Sequence, residues 1–392
     1  MNKHFFTKTR SLIALTSIFA ALGLTVGCSQ SPQKEMTLKE AYEPYFLVGG
    51  TVGETMLLAK RDPSLELAKE QFAVLTTANS FKWAVMNPEP SVYNFDVMDR
   101  FVDFGQKNNI SLIGHVLFWH SQTPDWVFED ENGNLLTREA LLERMRERAK
   151  LMADRYGDTI KVWDVVNEAI TDDGALRQTK FHKIIGDDFV EQAFRIAEEV
   201  FPEDSVFLYN DYNMMLPERR ATVIAMVEDF KARGVKIDGI GVQGHWALDN
   251  PTLDELDLML TEFASTGLPI HITEMDIDYL GREQYFGANV DIEKLTATPE
   301  NNPYPDGNFP AEADAALAAR YGEVFKVFLN HADHIERVTF WGITDADSWL
   351  NGWPVKGRTN YPLLFDREWK AKPAVKTLVD LAVEKTNASV SQ

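Results

Sequence analysis

Apolar residues in this chain gather into eight short runs: 45–52 (YFLVGGTV), 72–81, 110–119, 160–169, 205–213, 237–246, 269–277 and 338–345. Each run is nearly continuous rather than alternating, the pattern of strands covered on both faces, as in a parallel sheet. Between the runs, apolar positions recur at spacings of three and four. Over 138–157, "REALLERMRERAKLMADRYG", that spacing predicts a helix stopping on Gly157. It also predicts helices over 187–200, 217–233 before Gly234, 252–266 before Gly267, 312–331 and 373–385. A glycine just past the last turn is a common helix stop, because it accepts the left-handed backbone there. Strand-like runs alternating with helices predict an α/β protein, a single (β/α)8 TIM barrel over 45–385. A doubly wound open sheet competes, but no glycine-rich phosphate turn follows the first run.

Two segments stand outside the alternation. The stretch 280–311, rich in Asn, Pro and Gly, is predicted to be a long loop after the seventh run. Segments of that length are usually functional or disordered; here it is expected to extend the leaving-group side of a cleft. At the other end, Lys3, Lys8 and Arg10 precede an uncharged stretch from Ser11 to Gly27 and then Cys28, the single cysteine. A basic start, a short apolar stretch and small residues before a cleavage point predict an export signal over 1–27. The Cys28 context, "LTVGCSQ", resembles a bacterial lipoprotein signal, which implies lipidation of Cys28 and a tether over 28–44. An outer-membrane or cell-surface lipoprotein is therefore expected, or otherwise a periplasmic or extracellular protein. One cysteine permits no disulfide within one chain.

Composition narrows the partners. The chain has 392 residues, 45% of them hydrophobic, with 24 Phe, 11 Tyr and 9 Trp, which suffices for a large core. Its formal charge of −21 opposes phosphate backbones and anionic membrane surfaces, so no nucleic acid is expected and membrane attachment only through the anchor. A neutral ligand such as a sugar is unaffected by that field. The chain is expected to be a monomer.

In barrels of this kind chemistry sits at the C-terminal ends of the strands. Those ends carry His115, Trp119 and His120 after run three, and Asn167 and Glu168 after run four. Run five ends in Asn210, Tyr212 and Asn213, and run six in Gln243, His245 and Trp246. Runs seven and eight contribute Glu274, Asp276, Trp341 and Asp345. Burying polar groups costs free energy unless they are paired, so Asn-Glu closing the apolar run "VWDVVNEAI" needs a reason. Two glutamates on opposite sides of a barrel mouth suit glycoside hydrolysis. One carboxyl protonates the leaving oxygen while the other attacks the anomeric carbon, about 5–5.5 Å away in retaining enzymes.

The blocks "FKW", "GHVLFWHSQTPDW", "WDVVNEA", "YNDYN", "GVQGHW", "ITEMDI" and "FWGITDADSWL" follow one another at these strand ends. In that order they resemble glycoside hydrolase family 10, the endo-β-1,4-xylanases, over roughly residues 45–376. The resemblance implies a retaining hydrolase acting on xylan and xylo-oligosaccharides without a cofactor. It implies Glu168 as general acid/base and Glu274 as nucleophile, with Asn167 on the sugar 2-hydroxyl and His245 and Asp276 orienting Glu274. Asn79, Lys82, His115 and His120 would hold the glycone side over a floor shaped by Trp119, and Gln243, Trp341 and Trp349 would face the sugar at the cleavage point. One position departs: "TANSFKW" has Ala78 where the family usually carries Glu, which puts a glycone-side hydroxyl contact in doubt. No candidate ligands share the i, i+4 helical spacing of a metal site, so no catalytic metal is expected. Trp163 is read as core. A β-glucanase on a related barrel and a catalytically decayed xylan-binding lipoprotein are the competing functions; Ala169 after the acid/base, where glucanases commonly have Pro, opposes the first.

Overall fold

The computed structural model describes residues 35–282, 285 and 292–390. The expected export signal and Cys28 lie outside the described residues. Among those described, nine strands form one all-parallel sheet: β1 (Leu47–Val52), β2 (Val74–Thr77), β3 (Ser111–Trp119), β4 (Val162–Asn167), β5 (Val206–Asp211), β6 (Gly239–Val242), β7 (His245–Ala247), β8 (Ile270–Asp278) and β9 (Ile335–Phe340). The sheet closes through Gly49 opposite Thr339 and Gly241 opposite His271, giving an eight-stranded barrel. β7 continues β6 after a break at Gln243-Gly244 and pairs only with the outer half of β8.

The helices are α1 (Leu38–Tyr42), α2 (Glu54–Leu58), α3 (Pro63–Gln71), α4 (Trp83–Met86), α5 (Asp96–Asn108), α6 (Arg138–Tyr156), α7 (Lys180–Ile185), α8 (Phe189–Val200), α9 (Pro217–Ala232), α10 (Leu253–Ser265), α11 (Ala311–Asn330) and α12 (Pro373–Val390). The single (β/α)8 barrel expected from the alternation is the observed fold. Gly234 and Gly267 take φ of 66° and 73° just beyond α9 and α10, as their helix-stop reading requires. The spacing had not resolved α3 or α5, although α5 turns Met98, Phe101 and Gly105 inward at helical intervals.

Of the boundaries that differ from expectation, two change a reading. The later part of the supposed tether is folded: Thr37 and Glu40 form a capping box on α1, Leu38 and Tyr42 are buried, and the Tyr42 hydroxyl donates to Leu378 O at 2.8 Å. Apolar burial against α12 draws this segment into the domain. The eighth strand starts three residues earlier than read and ends at Phe340, so Asp345 stands in a turn, not at a strand end. It is buried, accepting from Lys372 Nζ at 3.0 Å and Leu363 N at 2.8 Å. Its role is to tie that turn to the base of α12.

Packing explains one sequence choice near the site. Trp163 is fully buried on β4, its indole donating to Ile160 O at 2.9 Å. A Cβ on the neighbouring Gly114 of β3 would sit 2.1 Å from that ring, so only glycine fits there. The loop 280–311 is anchored where described: Arg358 Nε donates to Asn301 O at 2.8 Å and Phe309 stacks on Tyr361 at 4.3 Å.

Candidate active site

A cleft of about 1190 Å³ lies across the C-terminal mouth of the barrel. Asn79, Lys82, His115, Trp119, Asn167, Glu168, Gln243, His245, Glu274, Trp341 and Trp349 all line it. Asp276 stands one layer behind. His120 is also absent from the lining: it follows Trp119, which faces the cleft, and successive side chains of an extended chain diverge. Burial, aided by Arg177, pushes its imidazole down to about 4, so it is neutral near pH 7.

Glu168 follows the last residue of β4 with a φ of 59°, a left-handed backbone that is uncommon for residues other than glycine. Its N–H donates to Asn210 O on β5 at 2.9 Å, and Arg177 Nε donates to its backbone oxygen at 3.0 Å. Its carboxylate receives three neutral donors. Trp119 Nε1 reaches Oε2 at 3.0 Å, while Gln243 Nε2 and Asn167 Nδ2 reach Oε1 at 2.9 and 3.1 Å. Trp119 is thus more than a floor; its indole grips the carboxylate.

Glu274 lies inside β8, only 5% exposed. Burial alone pushes its carboxyl up. The hydrogen bond from His245 and the positive charges of His115, His245 and Lys82 outweigh that, holding the group below the usual carboxylate range. His245 Nε2 is 3.4 Å from Glu274 Oε2, and its Nδ1 is 2.9 Å from Asp276 Oδ2. The imidazole would be driven down by burial, but its two carboxylate neighbours carry it up to about 9, so it is cationic at neutral pH. Trp349 Nε1 also donates to Asp276 Oδ2, at 2.7 Å. Lys82 Nζ sits 4.7 Å from the centre of the Trp119 ring and donates to Asn79 Oδ1 at 2.9 Å. Burial lowers its affinity for its proton, opposed by Glu274 and Glu168.

Two amides connect the glutamates. Asn210 Nδ2 donates to Glu274 Oε1 at 2.8 Å and to Asn167 Oδ1 at 2.9 Å, and its Oδ1 accepts from Thr273 Oγ1 at 2.7 Å. The strand-end shortlist contained Asn210 but gave it no role. Asp164 lies within the quoted "VWDVVNEAI" yet was also passed over; its Oδ2 meets His115 Nδ1 at 2.8 Å. Gln122, Arg282 and Trp353 line the cleft as well, from loops where the strand-end rule gives no signal. Trp353 stacks on Trp349 at 5.0 Å, and Arg282 Nη2 donates to His245 O at 2.8 Å.

Paired carboxylates, amides and indoles at the mouth of a (β/α)8 barrel define a carbohydrate-cleaving class of enzyme. The family model of glycosyl hydrolase family 10 matches residues 37–381, and the chain belongs to that family. It is 37% identical over 349 residues to endo-1,4-beta-xylanase A of Xylanibacter ruminicola, covering 89% of this chain and 94% of that protein. It is also 37% identical over 356 residues to an endo-1,4-beta-xylanase of Geobacillus stearothermophilus, covering 90% of this chain and all of the relative. Among solved structures, a GH10 endoxylanase from a sugarcane soil metagenome matches with a TM-score of 0.83 and 40% identity, covering 89% of this chain and 100% of that one. Another, solved in complex with xylotriose, matches with a TM-score of 0.77 and 34% identity, covering 88% of this chain and all of that one.

Proposed function

We propose that this chain is a retaining endo-β-1,4-xylanase in which Glu274 is the nucleophile and Glu168 the general acid/base. The observation that carries the assignment is the contrast between the two carboxyls. Glu274 is ringed by cations that hold it ionised, while Glu168 meets neutral donors at the open side of the cleft. Glu274 attacks the anomeric carbon of the bound sugar, the glycosidic C–O bond breaks, and Glu168 gives its proton to the leaving oxygen. The product is a glycosyl ester on Glu274. Glu168, now a carboxylate beside a neutral ester, takes a proton from water. The water oxygen bonds to the anomeric carbon, and the ester bond breaks to regenerate the Glu274 carboxylate. Two displacements at one carbon restore its configuration.

Asn167, held by Asn210 and Gln243, is placed to grip the 2-hydroxyl of the sugar being cleaved. Lys82, Asn79 and His115 would bind the glycone side, and Trp341 and Trp349 would cover the apolar ring face. Export with lipidation at Cys28 is part of the same reading, supported by the basic start, the uncharged stretch and the cysteine context. The test is reducing-sugar release from xylan, carboxymethylcellulose and mixed-linkage β-glucan, with Glu274→Ala alongside. Activity on xylan that the variant lacks is expected; a folded protein silent on xylan overturns the reading. Membrane fractionation of Cys28→Ser would check the anchor, with release into the soluble fraction expected.

A further inference from the structure

A second cavity, of about 850 Å³, opens between the loop after α4, the segment 126–131 and α6, and shares no described lining residue with the catalytic cleft. Two arginines line it, Arg144 and Arg148, four residues apart on α6, and neither pairs with a carboxylate among the described residues. Arg148 is 4% exposed. Its Nε donates to Leu117 O at 2.8 Å and its Nη2 to Phe81 O at 2.5 Å and Val116 O at 3.2 Å, while its buried Nη1 has no partner among the described residues. Arg144 donates through Nη1 to the backbone oxygens of Trp126 and Glu129, and its other guanidinium nitrogens make no hydrogen bond among the described residues.

Aromatic rings complete the wall. The Arg148 guanidinium lies 4.7 Å from the Trp83 ring centre and that of Arg144 5.6 Å from Trp126; the two indoles meet edge to face at 6.3 Å. Tyr93, 47% exposed, stands at the rim. Carboxylates line it too, but Glu129 is taken up by Lys180 at 2.8 Å and Asp130 by the amides of Asn132 and Asn134 at 2.9 Å each; Glu131 and Glu147 are exposed to water. A buried cation without an anion is costly, and burial pushes the Arg148 guanidinium down to about 9. Arg144 keeps Nε and Nη2 free among the described residues, a fork that takes a carboxylate through two parallel hydrogen bonds, and a carboxylate held there would stand beside the cation of Arg148. The apolar C–H face of a sugar ring on that ligand would lie against Tyr93 and Trp126.

We propose that this cavity is a non-catalytic site for a carboxylate-bearing sugar, a uronosyl unit carried on the polysaccharide. Its place beside the glycone side of the cleft rests on the xylanase reading. Lys82 is the N-cap of α4, and Ala84 N donates to Gln122 O at 2.8 Å, so the walls of the two sites are built from the same segments.

Isothermal titration tests the site, using the full chain with Glu274→Gln to halt turnover. The ligands are xylotetraose, the same tetraose bearing one glucuronosyl side group, and free glucuronate. A second binding event is expected only with the decorated tetraose, with free glucuronate competing for it. Arg144→Gln should weaken that event by about tenfold or more, and Arg144→Lys by less. Because Arg144 also holds two loop carbonyls, Tyr93→Ala serves as a variant outside the core, expected to weaken the event several-fold. One event for both tetraoses, or a second event indifferent to Arg144 and Tyr93, overturns the proposal. Hydrolysis of undecorated xylan by the wild type reads the catalytic assignment separately, so either can fail alone.

Discussion

Glu168, just past β4, and Glu274, within β8, are the same side chain in opposite surroundings. Glu168 sits on a left-handed backbone, half-buried, with an indole and two amides as its donors. Glu274 sits in regular strand, buried, with His245, Lys82 and His115 supplying positive charge. A carboxyl that must exchange a proton each turnover is served by neutral partners and access to solvent. A nucleophile that must stay ionised is served by cations that outweigh the cost of burial. Residue type alone does not separate the roles; the neighbours do.

Removing each carboxyl is the hardest test of that contrast. Glu274→Ala should cost on the order of 10⁵-fold in kcat on every substrate. Glu168→Ala should cost on the order of 10²–10⁴-fold on xylan. It should cost little on the glycosylation step of an aryl xyloside whose leaving group needs no proton, read as a pre-steady-state burst. The reverse pattern would exchange the two roles.

His245→Gln sharpens the contrast through pH. With the imidazolium gone, Glu274 loses its nearest positive partner, and the acid limb of kcat/KM should move to higher pH. Stability carries a second signature. The His245 imidazole is raised from its ordinary 6.5 to about 9, so its charged interactions stabilise the fold fully below pH 6.5 and are lost as pH rises through about 9. The difference in unfolding free energy between wild type and variant should therefore shrink across that window; a constant difference would remove imidazole titration from the account.

A smaller effect is expected at Trp119. Trp119→Phe keeps an aromatic face but removes the donor to Glu168 Oε2, and kcat on xylan should fall by about tenfold. A rise in KM alone would make Trp119 a sugar platform only. The smallest effect belongs to Ala78, which lines the cleft. Ala78→Glu should raise kcat/KM on short xylo-oligosaccharides by a few-fold, through one added hydroxyl contact; no change would leave that position without a role.

The barrel was legible because buried parallel strands and amphipathic helices write different periods into a chain. The strand-end rule then reduced the search to a few residues that included both glutamates. That rule also offered Asp345, which the turn after β9 takes away as a structural ion pair with Lys372. It offered His120 too, which stands outside the cleft.

The sequence by itself determined the fold and the family and singled out two glutamates that the barrel mouth brings together, because these rest on local pattern and ordered blocks. Only the tertiary structure decided how the pair is differentiated. Asn210, Asp164 and the indole of Trp119 act across strands on residues distant in the chain. Arg144 and Arg148 gain their meaning from what stands opposite them. Hydrogen bonds and charge interactions depend on distance in space, and strand neighbours 43 to 64 residues apart leave no periodic trace along the sequence.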